Sequence, residues 1–264
     1  MKNQYKSYLG LLLSLASLAA TANDNDGHAG QLGVTFSNCT EFAGVASVDV
    51  AKAQALVPSR YTLFADAGGA KLVVRVSDCA GISVNGRHPR PGRVAHIGIE
   101  VVSPDGTGTD PLTSINNYTL TYASNVPALV SGLGLFGVPA VFDAGLDYEY
   151  APPTGPSQLY ASVSPENGNS PTWFLYGTVT NPTYPSPFLA NWWYSPMNTW
   201  PHSGEVKMAT TFPTIYFDFT STVSFYTSRS NLIGLLIGGN TVANFPVSYR
   251  GQYQTAQMTV TILP

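Results

Sequence analysis

The sequence predicts one mainly β domain with a few short helices, and three observations carry that reading. Short apolar runs, several of them β-branched or alternating, recur between turns drawn from 25 Gly and 20 Pro. Aromatic residues make up 12% of the chain and charged residues only 10%, a balance that suits half-buried pleated surfaces. At 264 residues the chain also has a length at which a barrel or sandwich forms a single domain.

At the N-terminus, Lys2 and Lys6 precede an apolar run from Leu9 to Ala20 that is too short to span a bilayer comfortably. Ala20-Thr21-Ala22 fits the small-x-small cleavage pattern, so residues 1–22 read as a signal peptide and 23–264 as one exported domain, secreted or periplasmic, beginning near Asn23. No cysteine follows the run at a lipidation position, and no later apolar run reaches membrane-spanning length, so no integral membrane segment is expected in the mature chain. Export places Cys39 and Cys79 in an oxidising compartment where a lone pair bridges, and a Cys39–Cys79 disulfide is expected. The alternative is two buried free thiols or a redox pair, although the spacing matches neither a CxxC nor a zinc pattern. A formal net charge of −3 provides no basic field for phosphate backbones or anionic lipid, which argues against nucleic acid as a partner.

After a polar start, residues 41–50 read as a strand and 50–56 as one or two helical turns. Pro58 ends them by pushing Val57 out of the helical region. Residues 71–76 form a β-branched run suited to a buried strand, followed by 82–84 and a basic turn holding Arg87, Arg90 and Arg93. From 94 to 102 the alternation sends Ile97, Ile99 and Val101 to one face and His96, Gly98 and Glu100 to the other. A strand over 116–123 is expected to place Asn116, Tyr118, Leu120 and Tyr122 on one face. A helix from 126 to 136 then has Pro127 in its first turn and Gly137 as a left-handed cap. Further strands are expected at 158–163, 172–179, 215–219, 223–225 and 257–262, with 232–237 open between helix and strand. Residues 181–202, rich in Pro, Trp and Tyr, read as a long loop that is too aromatic for disorder.

His96 and Glu100 are the first candidates for chemistry, sharing a strand face roughly 13 Å apart by ordinary strand rise. Glu100 could accept a proton or bind a hydroxyl and His96 could switch charge near neutral pH; the plainer reading is a pair of hydrogen-bonded wall residues. Exposed Trp192 and Trp193, with Trp200, could stack on sugar rings or lid a barrel mouth; equally, they could plug a core. No GxSxG elbow, HExxH helix, Walker loop or dinucleotide glycine pattern occurs in usable context. His28, His88 and His202 are scattered, and Asp143, Asp147 and Glu149 fit a solvated sheet face. Neither a cofactor nor a metal is implied.

Residues 94–140 also resemble the acetoacetate decarboxylase family: a strand carrying Glu100, the turn Asp105-Gly106-Thr107-Gly108, a strand with Tyr118 and Tyr122, a short helix over 127–135, and Pro139. The resemblance implies a curved, cone-like β-barrel with a central cavity. It also implies a departure, because the family follows that proline with a Schiff-base lysine and this chain has Ala140. The mature chain has only Lys52, Lys71 and Lys207, of which Lys207 is the candidate substitute, though a lysine near Glu205 is better read as a solvated ion pair.

Three functions are open at this point. The first is an exported barrel that binds a small apolar or keto-acid-like molecule without Schiff-base decarboxylation, with Arg75, Arg93, Tyr118, Tyr122, Trp192 and Trp193 as ligand contacts. The second is a lyase or hydrolase using Glu100 and His96 as acid/base groups, with Arg75 or Arg93 clamping a carboxylate. The third is a carbohydrate-binding or cell-surface module acting through the aromatic loop.

Overall fold

A computed structural model describes residues 30–150, 157–165, 171–196 and 204–263. Residues 1–22, expected as a signal peptide, and His28, Trp200 and His202 lie outside the described residues.

The chain opens with β1 (Gln31–Val48) and α1 (Val50–Leu56). Asp49 caps α1 by accepting from the Lys52 N–H, and Val57 leaves the helix in an extended conformation, as the following proline requires. Then come β2 (Ala65–Asp66), β3 (Gly69–Val84), β4 (Arg90–Glu100), β5 (Ser114–Ser124) and α2 (Pro127–Leu135). Gly137, at φ 75°, ends α2 in the left-handed region. The second half contains β6 (Ala140–Phe142), β7 (Asp147–Tyr150), β8 (Ser157–Val163), β9 (Trp173–Val179), β10 (Tyr184–Tyr194), β11 (Glu205–Asp218), β12 (Thr222–Thr227), α3 (Leu232–Ile237), β13 (Thr241–Val242) and β14 (Val247–Leu263).

Seven strands close into a barrel in the order β1-β14-β11-β10-β5-β4-β3, with β3 returning to pair with β1. All seams are antiparallel except β5–β10. β2 adds to the edge of β3, and β6 pairs parallel with the end of β5. A second sheet, β13-β12-β9-β8-β7, lies against the outside of the barrel. Between them one core gathers Leu72, Val74, Ile97, Ile99, Leu159, Leu175 and Phe225. The other core fills the barrel and includes Leu32, Val34, Ile82, Val94, Leu129 and Leu133. At one end of the barrel α2 packs against the start of β1, with Leu32 pressed on Gly132, so open space remains toward the opposite end.

Cys39 and Cys79 are directly opposed on β1 and β3 and form a disulfide, with Cα atoms 4.1 Å apart. The bridge therefore fastens one seam of the closed barrel.

Two expectations need correction. Within the aromatic stretch 181–202, expected as a loop, residues 184–194 are β10, a barrel strand between β5 and β11. Pro185 and Pro187 are tolerated because pairing with β5 begins only at Leu189 and the register against β11 shifts between Ser186 and Phe188. In β5, Tyr118 and Tyr122 do not share a face. The register steps from Ile97↔Thr121 to Gly98↔Thr119, leaving Leu120 as a bulge that reverses the alternation. Tyr118 consequently joins the core outside the barrel and Tyr122 the core inside it.

Candidate functional site

The barrel holds a cavity of about 640 Å³. Its wall is built where strand alternation turns odd-numbered residues of β1 and β3 inward: Glu41, Ala43 and Val45 from the first, Lys71, Val73 and Arg75 from the second. Phe188, Trp192, Phe212, Phe217 and Tyr249 provide aromatic surface from β10, β11 and β14, and exposed Phe64, Leu112, Tyr184 and Phe219 stand at the mouth.

One row of paired residues crosses the wall from Glu100 on β4 to Asn117 on β5 to Trp192 on β10. Asn117 is wholly buried, and neither its Nδ2 nor its Oδ1 has a hydrogen-bond partner among the described residues. Trp192 Nε1 is likewise buried without one. Glu100 is partly buried, and burial raises its carboxyl to about 7, Lys71 pulling it down and Asp66 pushing it up.

The other charges in the cavity are already paired. Arg75 donates from Nε (3.1 Å) and Nη2 (2.7 Å) to Glu41 Oε2, and although burial opposes the charge, Glu41 raises the arginine further above its ordinary value. Lys71 Nζ contacts Asp66 at 2.7 Å and Ser47 Oγ at 3.1 Å.

His96 is separated from this space. It lies opposite Arg75 in the strand register, but the Trp192 ring stacks on it with centroids 3.5 Å apart, and its Nε2 is 2.9 Å from Thr119 Oγ1. Burial first, then Arg75, holds the imidazole well below its ordinary value, so it is neutral. Glu100 lines the cavity and His96 does not. Tyr122 sits edge-on to His96 inside the barrel, centroids 4.7 Å apart.

Three other residues singled out from the sequence face elsewhere. Arg93 is taken up by Asp78 (2.8 Å) and Asp147 (3.2 Å), joining barrel to second sheet. Tyr118 packs between Tyr61 and Tyr194 outside the barrel. Trp193 is fully buried, its Nε1 donating to Asn116 Oδ1 at 3.3 Å, and Lys207 lies 5.0 Å from its ring centroid. Lys207 pairs with Asp105 at 2.6 Å, and this contact with Thr107's hydrogen bonds overcomes burial to hold Asp105 at about 2. The partner of the Lys207 cation is thus Asp105, while Glu205 pairs with Arg60. Exposed rings occur instead on the outer face of the second sheet, at Tyr160, Phe174 and Tyr176.

Sequence reasoning passed over Glu41, Lys71 and Asn117. A signal existed for the first two, each a single charge inside an apolar run with inward alternation. Asn117 carried none beyond its place in a glycosylation sequon, Asn117-Tyr118-Thr119, which its burial closes off in the folded chain. Ala140 pairs with Tyr122, whose side chain is inside the barrel, and packs on the same inner core. Among the described residues, no group of three His, Cys, Asp or Glu side chains could hold a metal ion.

No family model and no curated protein matches the chain. Solved structures do. An acetoacetate decarboxylase from Legionella pneumophila aligns over 88% of this chain and 87% of its own, at 12% identity and TM-score 0.50. The enduracididine biosynthesis enzyme MppR, complexed with pyruvate, aligns over 96% of each chain at 13% identity and TM-score 0.56. An acetoacetate decarboxylase-like enzyme from Sphingomonas wittichii aligns over 89% of this chain and 93% of its own, at 10% identity and TM-score 0.52. The chain has the acetoacetate decarboxylase fold. At these identities the likeness shows the barrel alone, and Ala140 stands at the inward-facing position just after Pro139.

Proposed function

We propose that this protein is exported and binds a small molecule noncovalently in its barrel cavity, without Schiff-base decarboxylation. The observation that carries the reading is the row at Asn117 and Trp192, which offers three buried hydrogen-bonding atoms that no group among the described residues satisfies. An unsatisfied buried polar group costs about 1–3 kcal/mol. A ligand with a donor and acceptor near one end removes that cost, while the aromatic wall covers its apolar body.

Two facts support the exclusion of Schiff-base chemistry. Ala140 puts a methyl group where the fold's decarboxylases are expected to carry an amine, and Lys71, the lysine lining the cavity, is held by Asp66 and Ser47. An activated lysine needs desolvation or a neighbouring cation rather than a carboxylate at contact distance. That MppR is complexed with pyruvate supports ligand binding by this fold. Export is supported by the Cys39–Cys79 bridge together with the leader-like N-terminus, and no helix among the described residues is long and apolar enough to cross a membrane.

The test is mass spectrometry of small molecules released from the exported protein, compared with Ala43→Phe, which places a ring in the cavity. A ligand present in the wild type and depleted in the variant supports the reading. The same set of molecules on both, or none on either, overturns it.

A further inference from the structure

We infer that the cavity selects an organic cation, an amine on an apolar or aromatic body that also carries an acceptor for the Asn117 and Trp192 N–H groups; this rests on the binding reading above and names its ligand class. Five charged side chains line the cavity. Four cancel in pairs, Arg75 with Glu41 and Lys71 with Asp66, each pair at 2.7 Å. The fifth, Glu100, has neither an ion pair nor a side-chain hydrogen bond among the described residues, so the ionised cavity carries one uncompensated negative charge.

The surroundings of that charge fit a cation. The Phe64 backbone N–H donates to the Glu100 carbonyl at 3.0 Å, and both residues line the cavity. Glu100 contributes to raising the Tyr249 hydroxyl, after burial, and so acts on that ring as well. Trp192 stands two strands away in the same row. Aromatic faces carry negative potential and attract ammonium groups most strongly where water is excluded. A carboxylate ligand would find no free cation, since both basic groups are engaged, and would meet Glu100. A neutral ligand would leave Glu100 partly buried without a counter-ion.

Burial lets the empty site shed this charge, because Glu100 titrates at about 7. Cation binding restores the carboxylate and releases its proton to solvent. Asp66, held low by its hydrogen bond from Lys71, and Tyr249, pushed up by burial, keep their protonation states between pH 6 and 8, and the Arg75 guanidinium stays charged. Glu100 is therefore the group that titrates on binding.

The experiment is calorimetric titration of the mature protein with benzylamine, benzyl alcohol and benzoate between pH 6 and 8, with NMR of the Asn117 amide and Trp192 indole N–H to locate binding. Benzylamine is expected to bind at least about tenfold more tightly than benzyl alcohol at pH 8, and about tenfold more weakly at pH 6 than at pH 8. Glu100→Gln should abolish both the preference and the pH dependence. Benzoate binding as tightly as benzylamine, a preference that survives Glu100→Gln, or affinity independent of pH overturns the cation assignment while leaving the cavity as a site. Absence of any shift at Asn117 and Trp192 with all three compounds overturns the cavity reading as well.

Discussion

Glu100→Gln is predicted to stabilise the ligand-free protein at pH 8 and to have little effect at pH 4. Burial, above all, pushes the carboxyl up to about 7 in the folded chain, well above the ordinary glutamate value. A carboxylate whose folded pKa is raised favours folding while protonated, so its ionisation opposes the fold: nothing is lost below the unfolded value, and stability falls as pH rises from 4.5 through 7. At about 1.4 kcal/mol for each pH unit between the ordinary glutamate value and about 7, the upper bound is about 3.5 kcal/mol, and screening at the partly open cavity reduces this to about 2 kcal/mol. The amide keeps the shape and removes the charge. Urea denaturation of both proteins from pH 4 to 8 checks it: the curves should coincide near pH 4 and separate progressively up to pH 8, with a melting temperature about 4–8 °C higher for the variant there. A difference independent of pH, or a variant less stable at pH 8, would refute the assignment of Glu100 as an unpaired cavity carboxylate.

Three further predictions follow from the same framework. Replacing Cys39 and Cys79 together by Ala opens a cross-link spanning 40 residues and should lower stability by about 4 kcal/mol on a chain-entropy basis, measured by denaturation under oxidising conditions. Arg75→Met strands the buried Glu41 carboxylate and should cost about 3–5 kcal/mol, whereas the double change with Glu41→Gln should recover most of it in the same assay. Gly98→Ala sets a methyl group into the Tyr118 carbonyl and 2.7 Å from the Trp192 ring, so it should destabilise by about 2 kcal/mol or more and red-shift tryptophan emission as Trp192 leaves His96.

Local rules read much of the fold correctly. Val57-Pro58 stops α1, Pro127 and Gly137 bracket α2, and the alternation over 94–101 sorts Ile97 and Ile99 from His96 and Glu100, because each depends only on neighbouring residues. Long-range pairing was hidden. Prolines 185 and 187 argue against a strand unless one knows that β5 begins to pair only at Leu189, and the bulge at Leu120 leaves no mark in a stretch of otherwise good strand formers. The site follows the same division: Glu100 was visible as a lone acid on an inward face. Asn117 gained meaning only once Glu100 and Trp192 were seen on either side of it, and the pairing of Arg75 with Glu41 joins residues on two strands of the closed barrel.

The most direct measurement is a crystal structure of the mature protein with benzylamine at pH 8. Density is expected inside the barrel, with the ammonium between the Glu100 carboxylate and Asn117 Oδ1 and the ring against the aromatic wall. Density with the amine turned away from Glu100, or found only on the outer aromatic face at Tyr160, Phe174 and Tyr176 with an empty barrel, would contradict the cation assignment.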